Sequence, residues 1–184
     1  MDTNAQPLSL HHMTMIGLMA SVLCILGPLS VPIPISPVPL SLTNLAIFFA
    51  TCILGWKYGT LSYLLYLFMG IFGVPVFSGF TSGFAKLIGP TGGYLTGMII
   101  TAMISGMAFE KFQSRAAIFF CLAAGVVISY ITGTLWLCHQ AHLTFLQGLW
   151  AGVLPYIPGD LIKIIIAVIM GPTIKRRLSA SGLL

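Results

Sequence analysis

The sequence predicts an all-α polytopic membrane protein, a bundle of six transmembrane helices with both termini in the cytoplasm. Of its 184 residues, 58% are hydrophobic and only 6% are charged, whereas soluble domains carry about 25% charged residues. Apolar runs recur from Met13 to Gly171 with short polar breaks between them. Because no change of composition marks a second unit, residues 1–184 should form a single membrane-embedded domain.

Six apolar segments approach the ~20 residues that a helix needs to cross a bilayer. They cover residues 13–29, 42–56, 58–77, 90–109, 116–138 and 143–174. The last segment is too long for one straight span, and Pro155 and Pro158 should kink it. The sequence therefore predicts six helices joined by short connections.

The distribution of cations indicates how this bundle is oriented. With the amino terminus inside, the cytoplasmic side carries Lys57, Lys111, Arg115, Lys175, Arg176 and Arg177, as the positive-inside rule requires. Lys86 is then the one loop cation outside. Membrane orientation explains the net charge of +5 better than nucleic-acid binding does, because the cations are scattered at segment ends.

Two outward segments, 30–41 and 78–90, are rich in Pro, Gly and Ser, so a capture site should open to the outside. The first contains prolines at 32, 34, 37 and 39, which exclude a helix and favour extended chain. It is either a stiff connector or a lid over the bundle.

Asp160 and Lys163 stand out because they place an acid and a base inside an apolar helix, one turn apart. Charged groups within a bilayer are costly unless they are paired or hold a ligand. Pro158 precedes Asp160 and places it in the positive first turn of the following helix. We favour a ligand-binding role over a purely structural ion pair.

The segment Leu87–Tyr94 predicts a glycine-rich turn before the fourth helix. Thr91 and the amides of Gly92 and Gly93 are candidates to meet polar ligand atoms. The turn lacks the GK[ST] ending of a P-loop, so nucleotide binding is not indicated. After this turn a small residue recurs every four positions, which predicts close helix packing. These residues are Gly93, Gly97, Thr101 and Ser105.

Two further patterns are ambiguous between packing and function. On the third helix Tyr63 and Tyr66 share one face, which either lines a pocket or packs in the bundle. On the first helix four small residues suit a partner helix or a neighbour within the bundle, namely Gly17, Ala20, Ser21 and Cys24. His139 and His142 lack a third ligand, so we expect no metal site.

Four elements together resemble the BioY family of biotin transporters: Pro37–Pro39, Gly73–Phe77, Gly89–Tyr94, and Pro155–Asp160 with Lys163. The resemblance spans nearly the whole chain. It implies a six-helix S component of an energy-coupling factor (ECF) transporter in the cytoplasmic membrane. Such a subunit captures biotin from outside and works with a membrane-spanning T component and two ATPase subunits. This sequence reads Thr43-Asn44 where many relatives have Gln-Thr.

The resemblance also implies roles for individual residues, with biotin as ligand and no cofactor. Biotin carries a ureido group with two N–H donors, an apolar ring and a carboxylate tail. Asp160 would accept from the ureido N–H groups, and Lys163 would hold Asp160 or reach the tail. The tyrosines at 63, 66 and 94 would cover the ring, Thr91 with the amides of Gly92 and Gly93 would bind polar atoms, and Asn44 would meet the ureido carbonyl. The small residues of the first helix would dock the T component.

Three other functions remain open at this point. An S component for another vitamin would share the helices and the lid. An intramembrane hydrolase would need a nucleophile-base pair or a metal cluster, and the sequence contains neither HExxH nor GxSxG. A purely structural subunit would leave the isolated acid-base pair of Asp160 and Lys163 unexplained. We therefore expect a transporter subunit and not an enzyme.

Overall fold

The computed structural model describes residues 10–32 and 38–183. The helices are α1 Leu10–Leu26, α2 Thr43–Ile71, α3 Phe84–Ile88, α4 Gly92–Lys111, α5 Arg115–Ala141, α6 Phe145–Gly152 and α7 Ile157–Ala180. Two short strands, β1 Ser30–Val31 and β2 Leu40–Ser41, pair antiparallel. This ribbon joins the two ends of the proline-rich segment, of which residues 33–37 lie outside the described chain.

Four of the described helices are long and apolar enough to cross a membrane, and these are α2, α4, α5 and α7. The shorter helix α1 is also apolar. The prediction of an all-α membrane bundle is therefore confirmed. One side of α5 exposes large apolar side chains, as expected of a helix that faces lipid: Phe120, Val127, Ile131 and Leu135.

Helix α2 is broken at Gly55, which has φ 80° and ψ −179°. The two halves fold back on one another, since a Cβ added at Gly59 would lie 2.6 Å from the Cα of Thr51. In an unbroken helix these residues would be about 12 Å apart. Helices were predicted at 42–56 and 58–77; the break at Gly55 separates them, and the second ends earlier, at Ile71.

The small residues of α4 pack it closely against α5 and α2. A Cβ at Gly97 would lie 2.9 Å from the Cα of Ser129 on α5. Thr101 donates a hydrogen bond to the carbonyl oxygen of Gly125 at 2.7 Å, and the hydroxyls of Thr51 and Ser105 lie 3.0 Å apart. Small side chains permit this approach, and the hydroxyls satisfy polar groups that lipid would leave unpaired.

The prediction of one kinked helix over 143–174 was wrong, because two helices form there. α6 begins with a capping box in which Thr144 and Gln147 bond each other's backbone amides. Pro155 lies in the turn after α6, and Pro158 lies in the first turn of α7, where its missing N–H leaves no hydrogen bond unmade. This turn sets the position of Asp160 at the start of α7.

Candidate functional site

Asp160 and Lys163 form a buried ion pair at the start of α7. Lys163 Nζ lies 2.9 Å from Asp160 Oδ1, and the two residues are 6% and 5% exposed, respectively. Asp160 occupies the first turn of α7, where the helix dipole favours a negative charge. Burying one of these charges alone would cost several kcal/mol, so pairing is what allows both to stay inside.

Two residues from remote parts of the chain complete the hydrogen bonding of this pair. The hydroxyl of Tyr130 on α5 donates to Asp160 Oδ2 at 2.5 Å. Lys163 Nζ donates to the carbonyl oxygen of Ser41 in β2 at 2.6 Å. The pair therefore connects α7 to α5 and to the β1–β2 ribbon.

The ion pair faces a cleft whose lining brings together several predicted site residues. Of the candidates named from the sequence, it contains Asn44, Thr91, Tyr94, Asp160 and Lys163. Other polar residues that line it were not predicted as ligand contacts, namely Ser41, Thr43, Ser78, Lys86, Ser129, Tyr130 and Tyr156. Its apolar lining includes Phe77, Leu95 and Met98. A cleft with apolar walls and a few convergent polar groups is typical of a small-molecule site.

Asn44 presents an unsatisfied polar atom at this cleft. Its Oδ1 is buried and has no hydrogen-bond partner among the described residues. Buried polar atoms in proteins are nearly always paired, so this acceptor is available to a donor group in the cleft. The prediction that Asn44 meets the ureido carbonyl stays a prediction: Asn44 lines the cleft, but a carbonyl oxygen would accept from its amide NH2 group and would not pair with Oδ1.

Lys86 supplies a cation to the cleft from α3, in the connection between α2 and α4. Partial burial lowers the pKa of its ammonium group from the usual value of 10.5. No carboxylate pairs with Lys86 within residues 10–32 and 38–183. This arrangement suits an anionic group of a ligand, because a partly desolvated cation gains most from a partner of opposite charge.

The model of the family described as "BioY family" matches residues 1–180 of the sequence. The chain belongs to the BioY family. Among its relatives, the biotin transporter BioY of Thermotoga maritima is 36% identical over 146 residues, covering 79% of this chain and 86% of that protein. The biotin transporter BioY2 of Lactococcus lactis is 33% identical over 175 residues, covering 95% of both.

A solved structure supports the same assignment. The crystal structure described as the S-component for biotin from an ECF-type ABC transporter aligns with a TM-score of 0.83 and 31% sequence identity. The alignment covers 90% of each chain. The fold described above is therefore the S-component fold, and membership of a transporter family agrees with a chain that is not an enzyme.

Four of the predicted ligand contacts belong to the packing of this BioY chain and not to the cleft. Tyr63 and Tyr66 are 0% exposed; their hydroxyls donate to the carbonyl oxygens of Leu95 and Val76. The amide of Gly92 donates to the carbonyl oxygen of Gly89 at 3.0 Å. A Cβ at Gly93 would lie 2.6 Å from the carbonyl oxygen of Thr132, so Gly93 serves helix packing.

The four small residues of α1 lie along one side of the helix but differ in exposure. Ala20 is 1% exposed, and Cys24 is partly buried and packs against the core formed by α1, α2 and α4. Ser21 is exposed, and a Cβ added at Gly17 would meet nothing within 4 Å. Gly17 and Ser21 are therefore the members of the predicted set with free space beside them.

The chain between β1 and α2 is attached to the cleft at two points. The hydroxyl of Tyr156 donates to the carbonyl oxygen of Val38, and Lys163 holds Ser41 as described. Tyr156, Ser41 and Val38 all line the cleft. The interpretation of residues 30–41 as a lid stays a prediction; its prolines 34 and 37 lie outside the described residues.

Proposed function

We propose that this chain captures biotin on the outer side of the cytoplasmic membrane as the S component of an ECF transporter. The observation that carries the proposal is the buried pair of Asp160 and Lys163 at the wall of a polar-lined cleft. A charge pair inside a membrane bundle is retained where it serves binding or transport. The relatives named as biotin transporters and the S-component for biotin support the same ligand.

The polar groups of biotin match groups that line the cleft. A ureido N–H group would donate to Asp160, and the Asn44 side-chain amide would donate to the ureido carbonyl oxygen. The carboxylate tail would pair with Lys86, the cation that lacks a carboxylate partner in the described chain. Leu95, Met98 and the ring of Tyr94 would cover the apolar part of the ligand.

Six membrane-crossing segments fit this fold once the two halves of α2 are counted separately. They are α1, the two halves of α2, α4, α5 and α7. An even number of crossings places both termini on one side, and Lys57, Lys111 and Arg115 then lie on that side with the cations at 175–177. The positive-inside rule assigns this side to the cytoplasm.

Transport would require partners that supply energy, because the sequence contains no P-loop. We propose a membrane-spanning T component and two ATPase subunits, as the ECF relationship of the solved neighbour suggests. The accessible part of the α1 small-residue pattern, Gly17 and Ser21, is the proposed contact with the T component.

Ligand-induced thermal stabilisation of the purified chain tests the biotin assignment. A ligand that binds only the folded state adds about 2.7 kcal/mol at 100 times its Kd, so biotin should raise the Tm while thiamine, riboflavin and folate should not. The same preparation should not hydrolyse ATP. Stabilisation by one of the other vitamins and not by biotin would contradict the proposal.

A further inference from the structure

We propose that Tyr130 is a positioning residue for ligand binding, which fixes the Asp160 carboxylate so that it presents one free acceptor site on each oxygen. This inference rests on the proposed function and extends it to Tyr130, which bonds the Asp160 oxygen that Lys163 does not bond. Its basis is the hydrogen bond from the Tyr130 hydroxyl to Asp160 Oδ2 at 2.5 Å.

The acceptor sites of Asp160 can be counted from its hydrogen bonds. An ionised carboxylate has about four lone-pair sites, two on each oxygen. Lys163 occupies one site on Oδ1, and Tyr130 occupies one site on Oδ2. One site remains on each oxygen. The two N–H bonds of a five-membered cyclic urea diverge, so one ureido N–H at a time can donate to this carboxylate, at one of its two remaining sites.

Tyr130 also lies where the binding cleft meets a second, apolar groove. This groove runs between α5, α6 and α7 and is lined by side chains such as Val127, Ile131 and Leu161, which are 40% to 53% exposed on the outer surface of the bundle. Three residues line both the cleft and the groove, namely Val126, Tyr130 and Asp160. The Tyr130 hydroxyl that donates to Asp160 Oδ2 therefore lies at the boundary between the cleft and an apolar surface.

Without the hydroxyl of Tyr130, Oδ2 would have no donor in the described structure on a side where apolar groups replace water. The carboxylate would gain freedom to rotate about its terminal torsion, which is broad for aspartate. Lys163 would then hold only one oxygen. Both effects disturb the acceptor sites of Asp160 before the ligand binds. Tyr130 therefore influences the affinity for the ligand through Asp160.

A double-mutant cycle between Tyr130→Phe and Asp160→Asn tests this role. Tyr130→Phe alone should weaken biotin binding about 5- to 30-fold. In the Asp160→Asn background the same substitution should change the affinity less than about 2-fold, because the carboxylate that Tyr130 positions is already absent. A purely structural role would instead give equal losses in both backgrounds, and equal losses would overturn the inference.

Thr101→Val is the matched control. It removes another hydroxyl of the bundle, one that donates to the Gly125 carbonyl oxygen at 2.7 Å, and Thr101 is absent from the cleft lining. It should lower the Tm without changing affinity. Binding is measured in native membranes as well as in detergent, so that a variant folded only in the bilayer is still scored. Failure of the wild-type chain to bind biotin would overturn the proposed function and this inference together, whereas binding with additive losses overturns the role of Tyr130 alone.

Discussion

Lys163 donates a hydrogen bond to the backbone carbonyl oxygen of Ser41 at 2.6 Å, across 122 positions of the sequence. The same ammonium group bonds Asp160, so the ion pair on α7 and the β1–β2 ribbon share one cation. A ligand that contacts Asp160 therefore contacts the partner of the lysine that also bonds the ribbon. The predictions below separate the contributions of these residues.

Asp160→Asn should lower biotin affinity about 10- to 100-fold, because a charge-assisted hydrogen bond worth about 1.5–3 kcal/mol is replaced by a donor-donor contact. Isothermal titration of the detergent-solubilised chain measures this. Glu110→Gln is the control, since it makes the same change at the carboxylate that accepts from the Trp56 amide at 2.9 Å, away from the cleft lining. Unchanged affinity of Asp160→Asn with a lowered Tm would make the carboxylate structural.

Lys163→Met should destabilise the fold by about 3–5 kcal/mol, because it leaves the buried Asp160 charge without its cation. The tie to Ser41 is lost at the same time. Thermal unfolding without ligand measures the effect. Lys57→Met removes an exposed cation and should shift the Tm little. A Tm of Lys163→Met equal to that of the control would show that the pair adds no stability.

Lys86→Gln should weaken biotin binding and leave the binding of biotin amide, which has a neutral tail, nearly unchanged. Biotin and biotin amide both keep the ureido group and differ in the charge of the tail. Comparing their affinities therefore isolates the effect of that charge. Equal losses for both ligands would exclude Lys86 as the carboxylate partner. Competition binding against labelled biotin gives both affinities on one preparation.

The affinity of the wild-type chain for biotin should fall as the pH rises, with a midpoint below 10.5. Burial lowers the pKa of Lys86, so its ammonium group loses its proton at a lower pH than an exposed lysine does. The pKa of Lys86 is lower in the folded chain than in the unfolded chain, so the unfolded chain binds this proton more tightly. Loss of the proton as the pH rises therefore does not destabilise the fold. Lys86→Gln should remove this step from the pH profile, and a step that persists in the variant would assign it to another group.

Ser21→Trp should leave biotin binding intact and weaken assembly with the T component. Ser21 is exposed on α1, whereas Ala20→Trp would overfill a position that is 1% exposed and should fail in folding first. Co-purification with the T component measures assembly. Ile131→Trp on the exposed side of α5 is the control for added bulk. Normal assembly of Ser21→Trp would exclude this face of α1 as the dock.

Gly55→Ala should destabilise the fold by about 1–3 kcal/mol, because φ 80° with ψ −179° disfavours any residue with a Cβ. The added methyl would also meet the Glu110 carboxylate. Gly17→Ala is the control, since its Cβ would meet nothing within 4 Å. Equal Tm values for the two variants would show that the break in α2 does not depend on glycine.

Composition and spacing along the chain predicted the membrane character and the shared helix face of Asp160 and Lys163. The first follows from composition, because a chain with 6% charged residues buries its surface in lipid. The second follows from helical spacing, because residues three apart lie on one face whatever surrounds the helix. Both are local properties. The observed ion pair of 2.9 Å corresponds to one of the two roles considered for Lys163, that of holding Asp160.

What faces that pair depends on contacts between distant parts of the chain. Tyr63 and Tyr66 share a helix face as predicted, but periodicity does not say what lies opposite, and that face packs on Leu95 and Val76. Tyr130 carried no signal for the site, and Lys86 was identified only as the one loop cation on the predicted outer side. Both reach the cleft through the packing of α5 and the placement of α3, which depend on contacts between residues far apart in the sequence.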